Sequence, residues 1–195
     1  MKLDERELRD LLLAWVALGL AFAFFFERVT PMTIGDFLLS PAFVGAMVIN
    51  LLTVGVGFLL HELAHKVVAV RFGQYARFVA DYKMLAFAIV GGLAGFVFAA
   101  PGAVFHRGRL TDRQHGLIAL AGPVTNLALA AVFVPVMAVA PFLGSRGVTI
   151  NLFLAAFNLL PIGALDGATV KDWSIPVYVA TFVPSVLLTV WVLFW

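Results

Sequence analysis

Gly57-Phe-Leu-Leu-His61-Glu62-Leu-Ala-His65-Lys66 closes an apolar run in which Val44 to Leu60 carry no charge. If the run is helical, His61 and His65 share one face, about 6 Å apart along an axis that rises about 1.5 Å per residue. Two imidazoles so placed can bind one Zn²⁺, with Glu62 beside them to take a proton from a water held there. At membrane depth such a cluster needs a compensating partner, because an ionisable side chain at the bilayer centre costs about 2.5–3.5 kcal/mol on insertion scales. A plain polar patch at a helix end would leave the spacing without a reason.

The composition around this stretch is that of a membrane protein. Of 195 residues, 63% are hydrophobic and 12% charged, where a soluble domain carries about 25% charged residues. The chain is expected to be an all-α polytopic membrane protein in the lipid bilayer of the cell, a single domain over residues 1–195 with a catalytic core from about 41 to 167. A net charge of +2 is too small to argue for nucleic acid. With no cysteine, disulfides and thiolate ligands are excluded, and a metal must be held by His and carboxylates.

About five spans are predicted, six if Met84 to Phe105 crosses. Leu11 to Phe26 is the first. The preceding residues are as acidic as they are basic and no small-residue cleavage site follows, which favours a retained helix over a cleaved signal. A loop, Glu27 to Ser40, leads to Pro41–Val70, about 45 Å long if helical throughout, with the His-Glu-His set in its last third. Arg71 to Tyr82 reads as a basic connector. Gly116 to Pro141 is rich in small residues suited to close helix packing, and Asn126 within it is expected to make an interhelical hydrogen bond. A short loop, Phe142 to Val148, precedes the next span from Thr149. Pro176 to Trp195 is the last, with Trp191 and Trp195 as interface anchors.

Met84 to Phe105 is apolar but broken by Gly91-Gly92, Gly95 and Pro101-Gly102. It reads as a re-entrant β-hairpin or loop, or else as a sixth span. Charge favours the dip. With a cytoplasmic N-terminus, a dip puts Lys2, Arg6, Arg9, Lys66, Arg71, Arg77, Lys83, Arg107, Arg109, Arg113 and Lys171 inside and only Arg28 and Arg146 outside. A span would weaken that bias to 8 against 5.

Parity favours the dip as well. Asn158-Leu-Leu-Pro161-Ile-Gly163-Ala-Leu-Asp166-Gly167 reads as unwound chain at membrane depth, since Pro161 removes a helical hydrogen bond and two glycines loosen the rest. Such backbone is tolerated only where it is buried in protein or lines a wet cavity. A hydrolytic zinc takes three protein ligands and keeps one position for water. His106 and His115 lie in a basic segment where a solvated or structural role is natural. Asp166, apolar on both sides, can meet the histidines if the dip returns to its own side; an extra span would turn it to the opposite leaflet.

His61-Glu62-Leu63-Ala64-His65, the Ala121-Gly122-Pro123 to Asn126 stretch, and Asn158-Leu-Leu-Pro161 followed by Leu165-Asp166-Gly167 together resemble the site-2 protease family of intramembrane zinc metalloproteases. The resemblance implies that His61, His65 and Asp166 bind one zinc ion and that Glu62 is the general base. It implies that Asn158 holds the substrate or its developing oxyanion, and that a membrane-dipping β-hairpin follows the first motif. Many members carry a PDZ domain or further spans after the aspartate; this chain is expected to be a minimal form with neither.

The activity so implied is hydrolysis of a peptide bond in or near a transmembrane helix of a protein substrate, with the active site opening to the cytoplasm. A metal transporter or channel is the alternative, but transport gives no reason for a Glu beside the His pair. A scaffold that binds membrane helices without cutting them is a further alternative.

Overall fold

The computed structural model describes residues 3–96 and 101–194. The Lys2 charge, the Trp195 anchor and residues 97–100 of the expected dip lie outside the described residues. In chain order the elements are α1 (Glu5–Phe26), α2 (Ile34–Leu38), α3 (Pro41–Asn50), a π turn (Leu51–Gly55), α4 (Val56–Arg71), β1 (Tyr75–Ala80), α5 (Tyr82–Leu93), β2 (Gly102–Arg107), α6 (Asp112–Val136), α7 (Pro141–Asn158), α8 (Asp166–Trp173) and α9 (Ile175–Phe194).

The helices start where a cap or a proline permits. Asp4 accepts the N–H of Glu7 at the head of α1. Pro41 and Pro141 occupy the first turns of α3 and α7. Thr111 and Gln114 form a reciprocal capping box on α6.

Among the described residues, four helices are long and apolar enough to cross a membrane: α1, the continuous Pro41–Arg71, α6 and α9. Their outward faces are apolar, as on α9, where Val183, Leu187 and Trp191 are exposed. A surface of this kind is covered by lipid, not water.

Three expectations differ in detail. The loop placed at Phe142 to Val148 is the first half of α7, because Pro141 starts a helix there. α7 has 18 residues but is not among the four apolar spans; Ser145, Arg146 and two asparagines dilute it, and Asn151 is buried against protein. The Arg71 to Tyr82 connector contains β1, while the apolar run after it begins as α5, whose N-cap Asp81 accepts the N–H groups of Lys83 and Met84.

At 12 residues α5 is well short of a span. β1 pairs with β2, and the Asp81 N–H donates to the Pro101 carbonyl at the strand ends. Asp81 facing Pro101 and Gly102 facing Val79 make the pairing antiparallel. Gly102 has φ +150 and lies against the Val79 carbonyl, where a Cβ would not fit.

The chain groups into two compact units, one from 3–59 with 77–105 and the other from 60–76 with 106–194. In the first, α1 packs on α5 and on the π turn. Glu7 and Asp10, both buried, accept the N–H groups of Phe78 and Ala80, and Asp10 also accepts the Tyr82 hydroxyl. Each of these buried carboxylates therefore has a partner, as burial requires.

In the second unit α6 and α7 form an antiparallel pair. Gly144 lies against the Met137 backbone and Gly147 against the Phe133 ring, letting the two helices approach closely. Ala119, Val170 and Tyr178, with Trp173 and Phe182 packed around them, join α6, α8 and α9.

Candidate metal centre

The candidate metal ligands lie in the second unit. α4 carries His61, Glu62 and His65, all buried. The imidazole rings are 4.6 Å apart between centroids, at 82° to each other. Each Nδ1 has an oxygen partner on α6: His61 reaches Asn126 Oδ1 at 2.6 Å, and His65 reaches the Ile118 carbonyl at 2.7 Å. His61 meets the later residue and His65 the earlier, so α4 and α6 run antiparallel here.

A carbonyl oxygen only accepts, so the His65 Nδ1 donates, and in the neutral ring its Nε2 is then the free acceptor. His61 behaves the same way toward the Asn126 oxygen. Both Nε2 atoms face Asp166 Oδ2, at 3.2 Å from His61 and 3.4 Å from His65. Asp166 Oδ2 is itself buried with no hydrogen-bond partner. With both rings neutral, two imidazole lone pairs face a carboxylate oxygen, an arrangement relieved by a shared proton or by a bridging cation.

Several features fit a metal ion. The three ligand atoms lie within 4.8 Å of one another. Atoms bound about 2.0–2.1 Å from a tetrahedral zinc stand about 3.3–3.4 Å apart, close to the two separations seen. Gly122 supplies the room: a Cβ there would stand 2.5 Å from both Nε2 atoms. His61, His65 and Asp166 can therefore hold one metal ion through two nitrogens and an oxygen, a donor set zinc accepts.

Asp166 reaches this position because α7 stops at Asn158 and the chain turns through Leu159–Leu165 before α8 begins. Gly163 takes a positive φ of 59 in that turn, and Gly167 sits directly on the Leu159 backbone. Trp173 of α8 fills the space beside Gly116 of α6, anchoring the helix whose first residue is Asp166.

Glu62 lies within electrostatic range of both histidines and of Asp166. Asn158 is half-buried, and its amide donates to the Leu154 carbonyl in its own helix; no described contact ties it to the three ligands. Asn126 makes interhelical hydrogen bonds to His61 and to Asn151 of α7.

The Ile118 carbonyl and Asn151 were not among the residues the sequence pointed to, and Gly122 was named only within the Ala121-Gly122-Pro123 to Asn126 stretch, with no role at the ligands. Their signal is periodic: Ile118, Gly122 and Asn126 recur every four residues and share one face of α6. His106 and His115, set aside as ligands, pair with each other at 5.3 Å between ring centroids. Burial, and then the nearby His115, lowers the pKa of His106 below the usual histidine value.

The chain is 35% identical over 202 residues to a Methanocaldococcus jannaschii protein named "Putative zinc metalloprotease", covering 100% of this chain and 98% of the relative. It is 32% identical over 149 residues to the Bacillus subtilis protein YwhC of the same description, covering 64% of this chain and 68% of that one. Mycobacterium tuberculosis Rip3, also so described, is 37% identical over 122 residues, only 26% of its own length. No family model matches the chain, and no solved structure matches it significantly.

Proposed function

Because this chain belongs to the site-2 protease family of zinc metalloproteases, we propose that it cleaves a peptide bond within or beside a transmembrane helix of a protein substrate. The observation that carries the reading is the convergence of His61, His65 and Asp166, with Glu62 next to the first histidine on the same buried helix.

His61, His65 and Asp166 would hold the zinc ion. When bound, the ion supplies Lewis acidity, polarising the peptide carbonyl and lowering the pKa of a water toward about 7. Glu62 takes the proton of the attacking water and delivers it to the departing amine. The Asn158 amide donates to the substrate carbonyl oxygen as negative charge builds, after releasing its present hold on the Leu154 carbonyl. A helical substrate hides its carbonyls in its own hydrogen bonds, so the segment to be cut must unwind first.

The protein is proposed to be a multi-pass protein of the cell membrane, with its N-terminus and the opening of the site on the cytoplasmic side and no nucleic-acid partner. The lysine and arginine distribution supports that orientation.

Glu62→Gln tests the role of the base. The purified variant is expected to bind zinc as the parent does, while cleavage of a membrane-embedded substrate falls about 10²–10⁴-fold. Undiminished cleavage by a zinc-loaded variant would remove Glu62 from the mechanism.

A further inference from the structure

One groove on the second unit has no part in holding a metal. It lies between α4 and α6, with Val68, Arg71 and Phe72 on one side and Leu117, Leu120 and Val124 on the other. Its volume is about 320 Å³, at the lower end of the range in which small ligands bind. It opens outward, and Val124 is 44% exposed. Every lining residue but Arg71 is apolar.

The two ends of the groove differ. α4 and α6 run antiparallel, so Arg71, the last residue of α4, stands at the level of the first turn of α6. Arg113, in that turn, precedes Leu117 by four residues and continues the same row. Asp112 lies off that row, about 100° round the helix. Both arginines are exposed, and among the described residues neither is in an ion pair.

Two cations thus mark one end, and apolar side chains line the rest. From Arg113 to Val124 the helix rises about 16 Å at about 1.5 Å per residue, close to half of a hydrocarbon core about 30 Å thick. The groove has the reach of one leaflet. A transmembrane helix, about 10–12 Å across and crossing both leaflets, overruns it. An acyl chain confined to one leaflet matches its length and its lining. A phosphate at the head of that chain meets two guanidinium groups, whose planar forks suit phosphate oxygens.

We propose that the groove between α4 and α6 binds an anionic phospholipid, with an acyl chain along Leu117, Leu120 and Val124 and the phosphate on Arg71 and Arg113. The proposal rests on α4 and α6 crossing the membrane, and on neither zinc nor proteolysis. Basic pockets between membrane helices hold anionic headgroups in this way.

The full-length protein, purified in a neutral detergent, is offered phosphatidylglycerol and phosphatidylcholine with the same acyl chains. Native mass spectrometry counts the lipid each protein retains. Each arginine is expected to favour the anionic lipid about 5-fold, and the pair about 30-fold. Arg71→Gln and Arg113→Gln should each lose about 5-fold of that preference, and the double variant nearly all of it. Val124→Trp, which fills the inner end of the groove, should weaken retention of both lipids and leave the preference between them intact.

Equal retention of the two lipids by the parent overturns the proposal, as does a preference that survives the loss of both arginines. Retention indifferent to Val124→Trp means a headgroup held on a basic surface with no chain in the groove, and overturns it too. If Val124→Trp does not fold, a phosphatidylglycerol with a photoreactive group in its acyl chain decides on the parent, at one lipid per protein. Attachment within 68–72 or 117–124 is expected, and attachment elsewhere overturns the proposal. Displacement of the lipid by an uncharged transmembrane peptide would assign the groove to a substrate helix, and a dimer in place of bound lipid to a second copy of the chain; either result overturns it.

Discussion

A Cβ added at Gly122 would stand 2.5 Å from the Nε2 atoms of both His61 and His65. Two effects of that carbon oppose each other. In a helix interior alanine is better than glycine by about 0.5–1 kcal/mol, so Gly122→Ala should leave α6 at least as helical as before. The same carbon occupies the side from which both lone pairs reach out. Zinc affinity, read by chelator competition, is expected to fall about 100-fold or more, with a helical circular dichroism signal no weaker than the parent's. Full zinc occupancy in this variant would mean that the ligand set is not the one described.

Residue by residue, what was readable in the chain follows from what carries a letter. His61, Glu62 and His65 announce themselves by spacing, and Asp166 by being an acid inside an apolar run. The Ile118 carbonyl has no letter, since every residue owns one. Gly122 acts through what it lacks, and a small residue in a membrane helix reads first as packing. Asn126 could be given an interhelical bond from its polarity. That one such bond falls on His61, a candidate metal ligand, depends on how α4 and α6 cross.

At the scale of elements, the helix bearing the histidines is interrupted by the π turn Leu51–Gly55. Trp15 of α1 fills the place this opens, its indole N–H donating to the Leu51 carbonyl at 3.0 Å. A Cβ at Gly55 would run into the indole ring. Trp15→Phe keeps most of the ring but loses the donor, and should destabilise the protein by about 0.5–1.5 kcal/mol. Gly55→Ala would be favourable in an open helix; here overpacking of about 1–3 kcal/mol reverses the sign. Reversible unfolding in denaturant measures both, and a Gly55→Ala protein more stable than the parent would show that Trp15 does not occupy this turn.

Elements also show where pattern stops being informative. The apolar runs were legible as helices because their lengths exceed what a strand needs. The start of α7 was hidden by Gly144, Ser145, Arg146 and Gly147, which look like a loop. They form a helix because Pro141 fixes its first turn, and the two glycines pack on α6. β1 was obscured for a related reason. Its alternation of buried Ala76, Phe78 and Ala80 with Tyr75, Arg77 and Val79 lies among basic residues that resemble a connector. Two buried carboxylates of α1, distant in sequence, hold its backbone.

For the whole molecule, the return of the chain to the histidines is a matter of counting passes. α6 runs antiparallel to α4, and α7 antiparallel to α6, so the end of α7 comes back to the level of His61 and His65. That leaves the side of the membrane to be fixed. α6 is 25 residues long, about 37 Å at about 1.5 Å per residue, long enough to cross a membrane; as a span it would put residues just before it and just after the following turn on opposite faces. The proposed orientation puts Arg109 inside and Ser145 outside. Both are exposed, and the chain has no cysteine to confuse a label. In intact cells, a membrane-impermeant maleimide should label Ser145→Cys at once and Arg109→Cys only after the membrane is opened. The reverse pattern would place the metal centre near the outer face, against the charge bias of the loops, and would send the search for substrates to the other side of the membrane. Labelling of both from one side would be harder to accommodate, because α6 could not then cross, and Asp166 would owe its place beside the histidines to something other than the parity of the spans.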